Sequence, residues 1–477
     1  MILIPALIVG PIILGLGTLV IPRRAAAAAK AYACLVALAV LSATIASASA
    51  PDASVRWLSR PFAAAFHVGW TGIGYWLAVL LALVTFCSLV AAQSTRLRDF
   101  VGAILVLEGT MMGVFAAKDL LLFALFWDFM LIPVFLIMIG WGPTVVNAWR
   151  YLIYNLAAGL TLLLGTAAFG IANGSTDVIG RTGVVPLAQP WAAWIFAGFA
   201  FAFLVKTPVW PVHTWMPDTY ADLPPAVAAL VSAVQSKAGL YGFIVIGIPL
   251  FPSVMQAARP LMFVLGLIAL LYGACTALVE RDVKRVVAYS SLSHLGLILI
   301  AIFSGGDLAL RGAYVYLIGH GLFSAALFLV LGYVEHREET RVLDRLGGLG
   351  IRNPRLAGAL VLPALAALGL PGLAGFAGEI LILTGVYRAG FVWPAAIALI
   401  PVVIAAAYML RVYQGMMHGP PVADLPERPD MNWIEGLALA PLVVAFVLLG
   451  VQPAPIANVG STPLAAQQAA AFTESSR

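Results

Sequence analysis

The sequence predicts an all-α polytopic membrane protein with about fourteen transmembrane helices, and three observations carry that expectation. Only 10% of its 477 residues are charged and 62% are hydrophobic, whereas soluble globular chains carry roughly 25% charged residues. A water-soluble fold of this length would lack the polar surface to cover itself. The apolar residues also fall in long blocks, broken by short clusters of Arg, Asp, Pro and Gly. About 20 residues cross the hydrocarbon as a helix, the economical way to satisfy a backbone in lipid.

Taken in order, the blocks give spans at 3–21, 31–49, 74–94, 99–117, 120–140, 149–171, 190–209, 224–249, 259–279, 285–303, 309–333, 357–386, 392–414 and 433–451. The first, within MILIPALIVGPIILGLGTLVIPRR, has no basic residue ahead of its apolar run. It therefore reads as a retained helix and not as a signal peptide. The longest polar stretch, 335–355, is a loop, and nothing suggests a separate soluble domain. Asn173-Gly174-Ser175 matches a glycosylation sequon, a pattern too short to outweigh chance.

Orientation follows from the basic residues in the loops. If the chain starts outside, the cytoplasmic loops hold 16 Lys and Arg residues and the opposite loops, with Arg477, hold 8. That bias puts both termini outside. The net charge of +5 comes from basic residues standing singly or in small groups, with no stripe suited to nucleic acid. Cys34, Cys87 and Cys275 are scattered through apolar segments without a CxxC and read as small packed hydrophobes. There is no GxGxxG after a strand, no P-loop and no iron–sulfur cysteine pattern.

Six ionisable groups lie inside six different spans. Asp128 stands in FWDFMLIPVF, nine residues beyond Asp119 and so about 14 Å along a helix, near mid-membrane. Lys206 ends WAAWIFAGFAFAFLVK, and Pro208 and Pro211 then predict a break in that helix. Lys237, His294 and His320 lie within apolar runs. Glu379 follows Pro371 and glycines 372, 375 and 378, which predict a second break. A charge at the bilayer centre costs ~3 kcal/mol even on the most lenient scale. The bland alternative is a set of snorkelling or structural pairs, with His320 bracing a helix junction. The functional reading is a buried proton relay. In it the state of Lys206 depends on its pairing with Asp128, because burial and a nearby carboxylate push a lysine in opposite directions.

Asp128 and His294 are separated by 166 residues, and Lys206 and Glu379 by 173. Five spans is an odd number, so a copied five-helix unit lies inverted in the membrane. The expected organisation is 1–98 for helices one to three and 99–249 for a first repeat of helices four to eight. Residues 259–414 then form an inverted repeat of helices nine to thirteen, and 415–477 hold a loop, helix fourteen and a short polar tail.

The motifs FWDFMLIP, FLVKTPVWPVHTWMPDTYADLPPAVAALVSAVQSKAGLYGF, ERDVKRVVAYSSLSHLG, GHGLFSAALFL and LGLPGLAGFAGE resemble the antiporter-like subunits of respiratory complex I. The subunit M branch, which includes mitochondrial ND four, is the most similar. The resemblance covers most of the chain and is strongest from about 99 to 414. It implies a proton-translocating subunit of a bacterial inner-membrane NADH:quinone oxidoreductase, a translocase, with no redox chemistry of its own. NADH, FMN, iron–sulfur clusters and quinone would belong to partner subunits. The implied partners are neighbouring antiporter-like and small membrane subunits in a hetero-oligomer, with lipid around them. It further implies Asp128 and Lys206 as a coupled pair, Lys237 as central relay, His294 and His320 as links, and Glu379 as the distal exit residue. His213 and Asp218, in PVHTWMPD, either organise the cytoplasmic end or cap it. The family normally has glutamate where this chain has Asp128, so the reach to Lys206 is in question. The MrpD component of the Mrp-type sodium/proton antiporters shares nearly every motif and is the alternative, with membrane-bound hydrogenase subunits a third relative.

Overall fold

The computed structural model describes residues 2–181, 190–419 and 428–461; Arg477 and the polar tail lie outside them. Helices occupy every predicted block. The first four are α1 (Leu3–Gly17), α2 (Ala26–Ala46), α3 (Gly72–Ala91) and α4 (Leu97–Ala116). The fifth block is two helices, α5 (Leu120–Phe129) and α6 (Leu131–Trp141). Then come α7 (Val145–Asn173), α8 (Trp191–Lys206) and the short α9 (Met216–Asp222). The eighth block comprises α10 (Pro225–Ala233), α11 (Ala238–Gly242) and α12 (Ile248–Leu250). A 3₁₀ turn at Gln235–Lys237 and a π turn at Phe243–Gly247 join these pieces. The second half contains α13 (Pro252–Val279), α14 (Val283–Ser304), α15 (Asp307–Glu338) and α16 (Leu349–Arg352). It finishes with α17 (Pro354–Ala367), α18 (Ala374–Arg388), α19 (Val392–Met417), α20 (Trp433–Val451) and α21 (Ala454–Ala457).

Among the described residues, 12 helical segments are long and apolar enough to cross a membrane. The seventh predicted span, 190–209, holds α8, with the short α9 following beyond its end, and the twelfth is a pair of shorter helices, α17 and α18. Those are the two breaks that proline and glycine predict. Residues 207–215 separate the first pair, and 368–373 the second, with Gly369 and Gly372 in left-handed conformations at φ 79° and 92°.

Two further interruptions depart from the expectation of continuous spans. Pro133 lacks the N–H that would bond the carbonyl of Phe129, and the fifth block divides there into α5 and α6. Pro249 follows the π turn in the eighth block, a local widening of the helix that frees backbone groups. The all-α expectation needs one amendment. The connection from α2 to α3 carries a hairpin, β1 (Ala53–Leu58) antiparallel to β2 (Ala64–Val68), with its register shifted between Arg56 and Leu58.

Loops cluster on two opposite faces, as alternate crossings require. On one face Trp141 reaches Ser94, Thr144 and Asn147 reach Asp222, and Arg341 reaches Asp222 and Asp282. We call this the basic face. On the other, the hairpin meets Ala117 and Ser175, and Arg311 meets Asn458 beyond the last span. Exposed Trp191, Trp393 and Trp433 begin α8, α19 and α20, the level at which indole rings anchor helix ends in a bilayer. The core runs along α15, which packs on α3, α10, α14, α17, α18 and α20. The most apolar 18-residue stretches of α15 and of the α10–α12 segment are wholly buried, whereas those of α1 and α2 are 33% and 28% buried and face outward.

Candidate functional site

Asp128 sits in the last turn of α5, one turn before the Pro133 interruption. Its Oδ1 is buried without a hydrogen-bond partner. The carboxylate is seated against α7 at Gly159, where a Cβ would collide with Oδ1. A side chain there would displace it. Lys206, the last residue of α8, is fully buried and its Nζ has no hydrogen-bond partner. The ammonium lies over Trp127 at 5.1 Å from the ring centroid, a cation–π contact with the neighbour of Asp128. No ion pair within 4.0 Å links Asp128 to Lys206 among the described residues, and neither Asp128 Oδ1 nor Lys206 Nζ has a hydrogen-bond partner.

Lys237 occupies the 3₁₀ turn between α10 and α11. Its Nζ donates to the carbonyl of Ser232 and, at 3.4 Å, to Ser236 Oγ. Two residues on, Gly239 lies against Phe203 and Thr207, where a Cβ would run into both the Phe203 carbonyl and Thr207 Oγ1. That close approach places the Lys237 turn beside the end of α8 that bears Lys206. On its other side, Ser232 and Ser324 hydroxyls are 2.5 Å apart, joining α10 to α15 one turn after His320.

His294 on α14 and His320 on α15 have ring centroids 5.4 Å apart. His294 Nδ1 is hydrogen-bonded to the Tyr316 hydroxyl, which also donates to Glu379 Oε1 at 2.5 Å. Without the tyrosine, His294 and Glu379 stand 3.8 Å apart. Glu379 is five residues into α18 and its Oε2 tucks against Gly369 in the break, where a Cβ would be 2.5 Å away. Helix discontinuity and titratable group therefore coincide again. His294 Nε2 and His320 Nδ1 are buried and unpartnered.

Of the six residues singled out in sequence, the structure brings His320, His294 and Glu379 together around Tyr316, and it seats Lys206 beside Trp127, the neighbour of Asp128, with Lys237 in the adjoining turn. His213 is buried against Tyr272 and its Nδ1 is unpartnered. Asp218 lies apart from these groups, at the basic face, where it takes Arg150 of α7 at 2.6 Å and Arg285 of α14. Asp218 is therefore a tie between the two halves.

Sequence reasoning missed Glu108. It is fully buried on α4 and neither carboxylate oxygen has a partner. The rule that singled out Asp128, a charge inside an apolar block, also applies to Glu108. Tyr316 gave no such signal, since a tyrosine in an apolar helix reads as ordinary core.

A polar cavity of about 460 Å³ opens at the basic face, lined by Asp222, Lys284, Glu335 and Arg341 among others. Lys284 is 2% exposed and pairs with Glu335. Burial pushes the Asp282 carboxyl up, and Arg341 and the N–H groups of Lys284 and Arg285 draw it back. On the opposite face Asp119 caps α5 through Leu121 and Leu122 and accepts from Ala65 of the hairpin and from Thr176. Burial raises its carboxyl, and those donors offset part of the rise.

The membrane-family profile described as NADH:quinone oxidoreductase/Mrp antiporter, TM, matches residues 117–405. NADH-quinone oxidoreductase subunit M of Rhodobacter capsulatus is 34% identical over 411 residues, covering 83% of this chain and 80% of that relative. Among solved structures, respiratory complex I from Thermus thermophilus with bound NADH contains a chain that superposes with a TM-score of 0.89 at 29% identity, covering 99% of this chain and all of that one. The Mrp complex from Dietzia shares the fold, with a TM-score of 0.85 at 21% identity over 99% of each chain.

Proposed function

We propose a function from one premise: the chain belongs to the NADH:quinone oxidoreductase/Mrp antiporter family of membrane subunits. It acts as the proton-translocating subunit M of a respiratory NADH:quinone oxidoreductase in a bacterial inner membrane. Its termini are on the outer side, and the basic face is cytoplasmic. NADH oxidation and quinone reduction, with FMN and iron–sulfur clusters, belong to partner subunits. The relatives at 31–34% identity bear the subunit M name, while the likeness to the Mrp complex is one of fold. Complex I is therefore the reading preferred over the antiporter.

The observation that carries the mechanism is the buried His320, His294, Tyr316 and Glu379 group, with Lys237 and Lys206 buried on neighbouring elements. Lys206 lacks a hydrogen-bond partner and lies over Trp127, the neighbour of Asp128, without pairing with the carboxylate. A cation in that position responds strongly to movement of the carboxylate, since charges interact more strongly in a low dielectric. A signal from a neighbouring subunit that draws Asp128 away releases the Lys206 proton toward Lys237. Water spans the separations that exceed hydrogen-bond distance. From Lys237 the proton passes to His320 and His294. Tyr316 then carries it to Glu379, the exit group. Lys237 is reloaded from the polar cavity at the basic face. Residues 99–249 and 259–414 act as two inverted units, Asp128 and Lys206 serving the first and His294 and Glu379 the second.

The test is proton translocation coupled to quinone reduction in vesicles holding the assembled complex. Asp128→Glu retains pumping and Asp128→Asn loses it. Wild-type pumping in the Asn variant would sink the proposal. Co-purification with sodium-dependent transport subunits, and no NADH-oxidising arm, would move the chain to the antiporter class.

A further inference from the structure

Glu108 of α4 and Thr85 and Ser88 of α3 are fully buried, and neither carboxylate oxygen nor either hydroxyl has a hydrogen-bond partner. Helix periodicity puts all three on one seam. α3 and α4 run antiparallel across the short connection at 92–96, and a Cβ on Gly74 would lie 2.8 Å from the Phe115 carbonyl oxygen. Thr85 and Ser88 follow Gly74 by 11 and 14 residues, and Glu108 precedes Phe115 by 7. Each therefore shares the helix face that makes that contact. The face of α4 at Gly102 and Gly109 is occupied by α1, at Gly15 and Ile8. Buried threonines elsewhere, such as Thr44, Thr110 and Thr219, donate to a carbonyl three or four residues back. Thr85 and Ser88 do not, which leaves their hydroxyls to the seam.

The seam opens at the basic face. A cavity of about 120 Å³ there is lined by Ala91 at the end of α3 and Phe100 of α4, and Gln93 and Phe100 are shared with the larger polar cavity. From Ala91, Ser88 and Thr85 follow at intervals of three residues, about 4.5 Å each. Glu108 stands at the level of Leu81, about 6 Å beyond Thr85. One bridging water spans about 5.5 Å between two oxygens. We infer that Glu108 is a proton-binding site that exchanges with the basic-face cavity along a water-bridged α3–α4 seam. The inference rests on the proton-translocating reading and adds to it a group outside the relay. Each hydroxyl accepts on one side and donates on the other, so a proton hops inward to the carboxylate and returns outward by the same atoms. A metal cation is a poor occupant, because membrane cation sites use unwound backbone carbonyls and α3 and α4 are unbroken. The site has a bearing on Lys237. Phe100 and Pro225 line one cavity and Tyr241 donates to the Phe115 carbonyl, so α4 runs parallel to the α10–α11 segment. Counted from those two contacts, Glu108 is level with 233–234, between Lys237 and the Ser232 carbonyl that holds its Nζ. α3 packs on both α4 and α10. An ionised Glu108 attracts the Lys237 ammonium across α3, and a proton loaded on Glu108 lets Lys237 give up its own.

Hydroxyl radicals formed in place by X-ray radiolysis of the assembled complex mark side chains beside bound water. Oxidation across 104–108 should exceed that across 297–303, an equally buried apolar run of α14. Thr85→Val with Ser88→Ala should remove the excess. In vesicles, Glu108→Gln should slow coupled translocation roughly ten-fold, the rate effect of one charge lost across a helix, and Glu108→Asp should keep most of it. If Glu108→Gln does not assemble, the labelling of the seam variant decides alone. No excess label, an excess that survives the seam substitutions, or label suppressed by sodium at constant pH would overturn the site. So would wild-type translocation in Glu108→Gln where Asp128→Asn has lost it. Wild-type translocation in both variants would overturn the proton-translocating reading, and this site with it.

Discussion

A hydroxyl between an imidazole and a carboxylate does what neither could do alone at 3.8 Å. With its one proton donated to Glu379, Tyr316 accepts from His294 Nδ1–H, so two linked hops, one proton onto its oxygen and one off it, connect the two. Tyr316→Phe removes only that oxygen. A hydrogen bond to a charged partner contributes about 1.5–3 kcal/mol, so proton transfer at this step should slow roughly 10- to 100-fold. Coupled translocation should fall while electron transfer under uncoupled conditions persists, and translocation at the wild-type rate would remove Tyr316 from the relay. The contrast between Tyr316 and Glu108 marks what could be read at this scale. Buried charges are conspicuous in an apolar sequence because each is costly in lipid, and Glu108 was visible by that rule. A tyrosine's role depends on its neighbours in space, which the sequence does not supply.

Interrupted helices recur at Asp128, Lys206, Lys237 and Glu379, where freed backbone groups tolerate polar company at depth, whereas His294 and His320 stand in the continuous α14 and α15. The seventh and twelfth spans announced their breaks through paired prolines or a proline amid glycines. The fifth and eighth did not, since Pro133 and Pro249 each stand alone and neighbouring helices commonly absorb a single proline. The hairpin at 53–68 was hidden for another reason: two short strands leave little alternation to read among long apolar blocks. The α5–α7 contact offers a direct test. Gly159 gives the Asp128 carboxylate its seat, and Gly159→Ala forces the carboxylate or α5 to move. Overpacking of this kind costs about 1–3 kcal/mol, read as a lower unfolding temperature of the assembled complex and as impaired pumping. Asp128→Ala in the same chain removes the clash, so the stability losses should be strongly non-additive. Additive losses would show that the two side chains do not share that space.

Across the whole molecule, charge at the basic face ties sequence-distant segments together. Arg150, Asp218 and Arg285 join α7, α9 and α14, and Arg341 reaches Asp222, Asp282 and Glu335. Most of these partners are partly solvated, and exposed pairs contribute about 0–1 kcal/mol each, so they align the helices more than they hold them. Arg337 and Glu435 differ. Both are buried, their pairing is bidentate at 3.0 and 2.7 Å, and Arg337 also donates to the carbonyls of Pro429 and Asp430. Glu435 in turn completes the capping box of α20 with Asn432. The pair fixes α20 against α15. Arg337→Ala leaves a carboxylate buried without its partner, at a cost of about 3–5 kcal/mol. Replacing both, as Arg337→Met with Glu435→Leu, removes the uncompensated charge and should recover much of that loss, short of the cap and carbonyl contacts. Thermal unfolding of the purified complex measures the difference. An Arg337→Ala variant as stable as the wild type would show that α20 is held by its apolar face alone.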